Sequence, residues 1–188
     1  MFTWQGDHGR ALETARVLLG KTGLRALGRS VRAPVDEPAF SASYRLVVDE
    51  EGALSRLSIT SAAEDRERNL TLNRTEDGYW LLDTGTGGSR AEFDGAVDVD
   101  LQYSPLFNAL PTRRLGLHRE RGEAEIPMVF VALPSLEVEL TKQHYVTRST
   151  LDDDGRAVVA FSAGAFAADL VFDADGLVID YPKLASRI

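Results

Sequence analysis

Apolar and polar residues alternate along most of this chain with the period of two that marks a strand with one buried face. Residues 41–48 (SASYRLVV) run into an Asp49-Glu50-Glu51-Gly52 turn, after which Leu54, Leu57 and Ile59 carry a return strand. Residues 69–74 place Leu70 and Leu72 on one face, and Glu76-Asp77-Gly78 turns the chain into Tyr79-Trp80-Leu81-Leu82. Short acid-rich turns closed by a glycine, which takes positive φ without strain, join antiparallel neighbours. The same turn chemistry recurs at 152–155 and 173–176. Further strands are predicted at 96–101, 112–118, 125–133, 136–148, 157–163, 167–173 and 177–181, about ten in all, forming a meander. Residues 9–19 have helical propensity, yet Gly20-Lys21-Thr22-Gly23 followed by alternation over 24–31 favours a hairpin.

One stretch, 98–114, breaks the alternation with a crowd of polar groups. Asp98 and Asp100 lie two apart on a predicted strand, so both carboxylates leave from one face, where paired acids serve acid/base chemistry, a cation or a salt bridge. Ser104 is a helix cap and Pro105 a first helical residue, with Leu106 and Phe107 as the buried side. Pro111 limits that helix to one or two turns. Arg113 and Arg114 then fall next to each other on the following predicted strand and point to opposite faces, so at most one enters a given cavity. An inward arginine needs a carboxylate or an anionic ligand, because an unpaired buried charge is costly. Gln143 and Tyr145 share a strand face, and His144 takes the other.

Composition narrows the function. The 188 residues suffice for one domain spanning 1–188 whose core needs neither metal nor disulfide. The absence of cysteine removes thiolate metal sites and cysteine nucleophiles. A net charge of -8, with the basic residues scattered along the chain, argues against nucleic acid and against an anionic membrane surface. No apolar run reaches the roughly 18 to 20 residues of a spanning helix. The first ten residues lack the charged start and apolar core of a secretory signal, so a cytoplasmic location is expected. The three histidines are far apart in sequence, no Gly-x-Ser-x-Gly elbow occurs, residues 85–88 read as a turn and 152–154 lack the spacing of a calcium loop. No cofactor or metal is expected, and the oligomeric state is open.

The segments Asp98-Val99-Asp100-Leu101 and Ser104-Pro105-Leu106-Phe107-Asn108-Ala109-Leu110-Pro111-Thr112-Arg113-Arg114-Leu115 resemble the signature of the putative glycolipid-binding family, a bacterial domain family. Gly78-Tyr79-Trp80, Gln143-His144-Tyr145 and residues 175–182, ending in Tyr181-Pro182, agree with it in order and spacing. The chain departs at Leu106-Phe107-Asn108-Ala109, where the family pattern carries two more hydroxyls. The resemblance implies a mostly β fold: a long bent antiparallel sheet forming a half-barrel around a short helical segment, similar to lipoprotein carriers. It also implies a ligand site at Asp98, Asp100, Asn108, Arg113, Arg114, Gln143, Tyr145 and Tyr181, with an amphiphile as partner. Three readings stand: non-enzymatic binding of an amphiphile in the concave sheet, a structural network fixing the sheet register, and an enzyme using Asp98 and Asp100 on a small polar substrate.

Overall fold

The computed structural model describes residues 1–188, the side chain of Asp7 excepted. Alternating burial along the strands builds one 15-stranded sheet. The first half of the chain supplies β1 (Phe2–Gly6), β2 (Ala11–Leu19), β3 (Leu24–Arg32), β4 (Phe40–Val48), β5 (Leu54–Ala63), β6 (Glu67–Arg74), β7 (Trp80–Asp83) and β8 (Gly88–Ala91). After β9 (Asp98–Leu101) and the helical segment come β10 (Glu123–Val131), β11 (Val138–Ser149), β12 (Ala157–Ala163), β13 (Phe166–Phe172), β14 (Val178–Tyr181) and β15 (Ala185–Arg187). Across the sheet the order runs from β8 down to β1 and then from β15 down to β9. The two ends of the chain therefore join two meanders, with Trp4 opposite Arg187.

The hairpins predicted from alternation are present, including β2/β3. Strands β1, β8 and β15 were not predicted: β8 (GSRA) and β15 (ASR) hold no apolar residue larger than alanine, and β1 shows its alternation only at Phe2 and Trp4. Residues 85–88, read as a turn, end by opening β8. One pairing departs from the meander: β9 and β10 are parallel, with Met128 opposite Asp98 and Phe130 opposite Asp100.

A second departure is at Pro111. A 3-10 turn, Pro105–Asn108, leads into helix α1, Ala109–Arg114, where a strand had been expected from residue 112. Pro111 is the third residue of α1, and a first-turn N–H has no intrahelical acceptor, so the proline removes nothing. Arg113 and Arg114 accordingly leave a helix rather than opposite faces of a strand. Ser104 does not cap the turn with its side chain, which is bonded elsewhere.

The sheet bends around this segment because Leu106, Phe107, Ala109 and Leu110 need cover. They are buried with Leu46, Leu57, Leu72 and Trp80 of the first half-sheet. Val99, Leu101, Val129 and Val131 join the same core, so by alternation Asp98, Asp100, Met128 and Phe130 occupy the opposite face of β9 and β10. A smaller core gathers Tyr145, Val159, Leu170, Phe172 and Val178 under Leu117.

Tyr44 lies across Gly28, its cross-strand partner, so closely that a Cβ on Gly28 would stand 2.0 Å from Tyr44 Cζ. The missing side chain is what lets the Tyr44 hydroxyl reach Glu13, 2.5 Å away. Gly28→Val should displace the ring and cost about 3 kcal/mol in urea unfolding, the upper part of the usual overpacking range. A cost under about 1 kcal/mol would mean that the ring has another place to go.

Candidate functional site

The inner face of the second half-sheet is incompletely filled and leaves a cavity of about 720 Å³. Strand parity decides what lines it. Asp100 projects from β9, Phe130 from β10, Thr141 and Gln143 from β11, Phe161 and Ala163 from β12 and Tyr181 from β14. The helical segment contributes Ser104 and Asn108. Polarity changes with depth. Ser104, Asn108 and Gln143 are buried at the floor beside Asp100; Phe161, Tyr181, Phe130 and Leu184 form the walls; Phe166, Glu139, Lys142 and Lys183 are exposed at the mouth.

The floor is wired together. Asn108 Nδ2 donates to the Tyr145 hydroxyl at 3.1 Å, which donates to Gln143 Oε1 at 2.8 Å. Gln143 Nε2 then donates to Asp100 Oδ2 at 2.6 Å. Tyr145 is fully buried one layer behind the cavity and fixes both amides. Burial pushes the Asp100 carboxyl up to about 7, against the hydrogen bond from Gln143. Its proton is thus exchanged near neutral pH, within reach of any occupant.

Asp98 has a different fate. Arg114 Nη2 lies 2.5 Å from its Oδ2 and Arg114 Nε 3.2 Å from the same oxygen. Burial raises the Asp98 carboxyl while the Arg114 contacts oppose it. The two aspartates leave the same face of β9 yet do not act as a carboxylate pair, because Asp98 is committed to Arg114. Arg113 turns away from both and donates to the carbonyls of Asp175 and, at 3.1 Å, Gly20, tying two turns together. Of the residues expected at the site, Asp100, Asn108, Gln143 and Tyr181 line the cavity, Tyr145 supports it, and Asp98, Arg113 and Arg114 lie outside the lining. The missing hydroxyls are not lost from the cavity either. Leu106, Phe107 and Ala109 point into the larger core, and Asn108 is the residue of that stretch that faces the cavity.

Glu13 is the residue that sequence reading missed. Its Oε1 accepts from Ser104 Oγ at 2.6 Å and from Tyr44, while Oε2 is buried without a partner. The signal was its inward parity between Ala11 and Ala15 on β2, obscured while a helix competed for the same residues. Desolvation pushes its carboxyl up to about 7, offset in part by the bonds from Ser104 and Tyr44. The folded chain therefore binds this proton more tightly than the unfolded chain. The resulting stabilisation is complete below the ordinary value of 4.5 and is lost as pH rises through 7. A shift of this size corresponds to about 3 kcal/mol. Glu13→Gln should flatten the decline of stability between about pH 5 and 8, read as the difference between the two proteins' denaturation midpoints. Parallel pH profiles would contradict the assignment.

Tyr103 and Lys183, both lining the cavity, hold positive φ values of 68° and 69°. Such backbone costs a non-glycine residue on the order of 1 kcal/mol or more and persists where packing enforces it. For Tyr103 the packing is the Arg32 guanidinium, 4.0 Å from the ring centre. Among the described residues, no group of three or more His, Asp or Glu side chains is placed to hold a metal ion.

A DUF1089-family protein from Pseudomonas aeruginosa superposes on this chain with a TM-score of 0.75 at 30% identity, over 97% of this chain and 95% of its own. A β-barrel-like protein of the domain of unknown function DUF1849 from Brucella abortus gives a TM-score of 0.47 at 11% identity, over 95% of this chain and 81% of its own. No curated protein matches. The profile of the family described as "Putative glycolipid-binding" matches residues 1–187, and it is to this putative glycolipid-binding family that the chain belongs.

Proposed function

We propose that this protein is a non-enzymatic binder of a glycolipid-like amphiphile, which it takes head-first into the cavity. The order of polarity with depth supports this reading. A floor of Asp100, Gln143, Asn108 and Ser104 offers carboxylate, amide and hydroxyl groups to a hydroxylated head group. Phe130, Phe161 and Tyr181 above them supply aromatic side chains of the kind that pack on the apolar face of a sugar ring and on the first carbons of a tail. A cavity of about 720 Å³ falls within the roughly 300–1,000 Å³ of pockets that enclose most of a drug-sized ligand. An acyl chain would then leave through the mouth past Phe166, 38% exposed, and Leu184. Asp98 is engaged by Arg114, so of the two aspartates it is Asp100 that an occupant of the cavity meets.

The test is to extract the protein mildly, identify bound amphiphiles by native mass spectrometry, and titrate the stripped protein with a fluorescent glycolipid. Retention of a glycosylated amphiphile and binding at micromolar concentration are expected. Preference for a free fatty acid of the same chain length over the glycolipid would contradict head-first recognition.

A further inference from the structure

The outer face of β2 to β5 carries a pattern that the cavity does not explain. Arg16, Arg25, Arg29, Arg45 and Arg56 are exposed on it, interleaved with Leu12, Leu18, Leu27 and Val31. Strand register turns these positions into a lattice. Arg16 stands opposite Leu27, which stands opposite Arg45. In the next row Leu18 faces Arg25, Arg25 faces Val47, and Val47 faces Arg56. The outward positions between them are Thr14, Ser41, Ser43, Ser58 and Thr60. Among the described residues, none of the five arginines makes an ion pair, and the outward positions of these strands hold no acid. Glu13 of β2 is buried on the inner face, and the turns at the strand ends carry Asp36-Glu37, Asp49-Glu50-Glu51 and Glu64-Asp65.

This segregation occurs in a chain with 29 acidic and 21 basic residues, so a cationic face of this extent is opposite in sign to the molecule as a whole. The leucines and valine are exposed by 45% (Leu12), 53% (Leu18), 46% (Leu27) and 54% (Val31). Single exposed apolar residues are ordinary, but a cluster set among unneutralised arginines suits a partner that is both anionic and apolar. A second copy of the chain fits poorly, because each copy would bring the same arginines to a shared interface. Anionic phospholipid supplies both chemistries at once: phosphates for guanidinium groups, and an interfacial layer into which leucine side chains dip.

We propose that the outer face of β2 to β5 is a docking surface for an anionic phospholipid membrane. The lipid contact is peripheral and made by strand side chains; among the described residues, no helix is long and apolar enough to cross a membrane. The arginines are dispersed in sequence and converge only because each sits at an outward position of its strand. Total charge therefore misreports how this face meets an anionic bilayer.

Vesicle flotation tests the proposal, using the full chain with phosphatidylcholine vesicles containing about one-third phosphatidylglycerol and with phosphatidylcholine alone. Binding to the first and not the second is expected, and it should weaken as salt is raised. Arg25→Ser/Arg45→Ser should reduce the partition coefficient roughly thirtyfold at an unchanged melting temperature. Arg16→Ser/Arg29→Ser, on the same lattice, gives an independent pair with the same expectation. Leu27→Ser should weaken binding even at low salt. Absence of binding to the anionic vesicles, or binding that neither arginine pair alters, would overturn the proposal. Retention on polyglutamate without vesicle binding would overturn it in favour of an acidic protein partner, and a stable dimer dispersed by Leu27→Ser in favour of a second copy. Glycolipid affinity measured on the same arginine variants should stay unchanged, so the test stands apart from the cavity.

Discussion

Arg114→Ala is expected to cost about 3–5 kcal/mol at pH 8 and clearly less at pH 5. Removing the guanidinium leaves the Asp98 carboxylate, 1% exposed, without its counter-charge, and breaking one side of a buried pair carries a cost of about this size. Protonation relieves it. Without Arg114 the Asp98 pKa rises further, so lowering the pH through that value neutralises the group and recovers stability. Asp98→Ala should be the milder change, because the Arg114 side chain is 20% exposed and its freed guanidinium can reach water. Combining Arg114→Ala with Asp98→Leu should restore much of the loss, since the uncompensated charge is gone. A loss under about 1 kcal/mol at pH 8, or one independent of pH, would show that the pair does not fix the position of α1 against β9.

Asp100→Ala is expected to do the reverse, harming binding and sparing the fold. If Asp100 accepts hydrogen bonds from the head group, its removal should weaken glycolipid binding by about thirtyfold to a hundredfold, in line with a lost hydrogen bond to a charged group. Stability should change little or rise at pH 8, because burial already disfavours the Asp100 carboxylate there. Binding is followed by fluorescence titration and stability by urea denaturation of the same preparation. A protein that binds normally but unfolds early would assign Asp100 to the fold-fixing network. These two expected outcomes would divide the run 98–114 between structure at Asp98 and Arg114 and recognition at Asp100.

That division was not readable from residue order. Alternation revealed the long strands because leucine, valine and tyrosine at every second position leave one buried face, as in residues 41–48. It placed Asp98 and Asp100 on one face, and the hairpin at β2 and β3 followed from its turn glycines. The family resemblance brought Asn108, Gln143 and Tyr145 together before any contact was visible. Pro111 misled, since whether a proline ends a helix or sits in its first turn depends on where the turn before it hands over. Arg113 and Arg114 were placed on a strand and leave a helix instead, yet the carboxylate partner expected for an inward arginine is present, since Arg114 meets Asp98. Glu13 escaped because its significance depends on Ser104, far along the chain, being folded over it. The closure of β1 on β15 escaped for a similar reason: Trp4 and Arg187 meet through backbone bonds that no local pattern encodes.

Head-first binding is the central claim, and side-chain amide NMR reports on it directly. Asn108 Nδ2 and Gln143 Nε2 both belong to the floor network, whereas Lys183 and Phe166 mark the mouth. Titration with an alkyl glucoside should shift the Asn108 and Gln143 amide signals saturably, with smaller changes at Phe166, and should leave them still in Asp100→Ala at the same ligand concentration. Perturbation confined to Phe166 and Lys183, with the two amides unmoved, would contradict a head group at the floor.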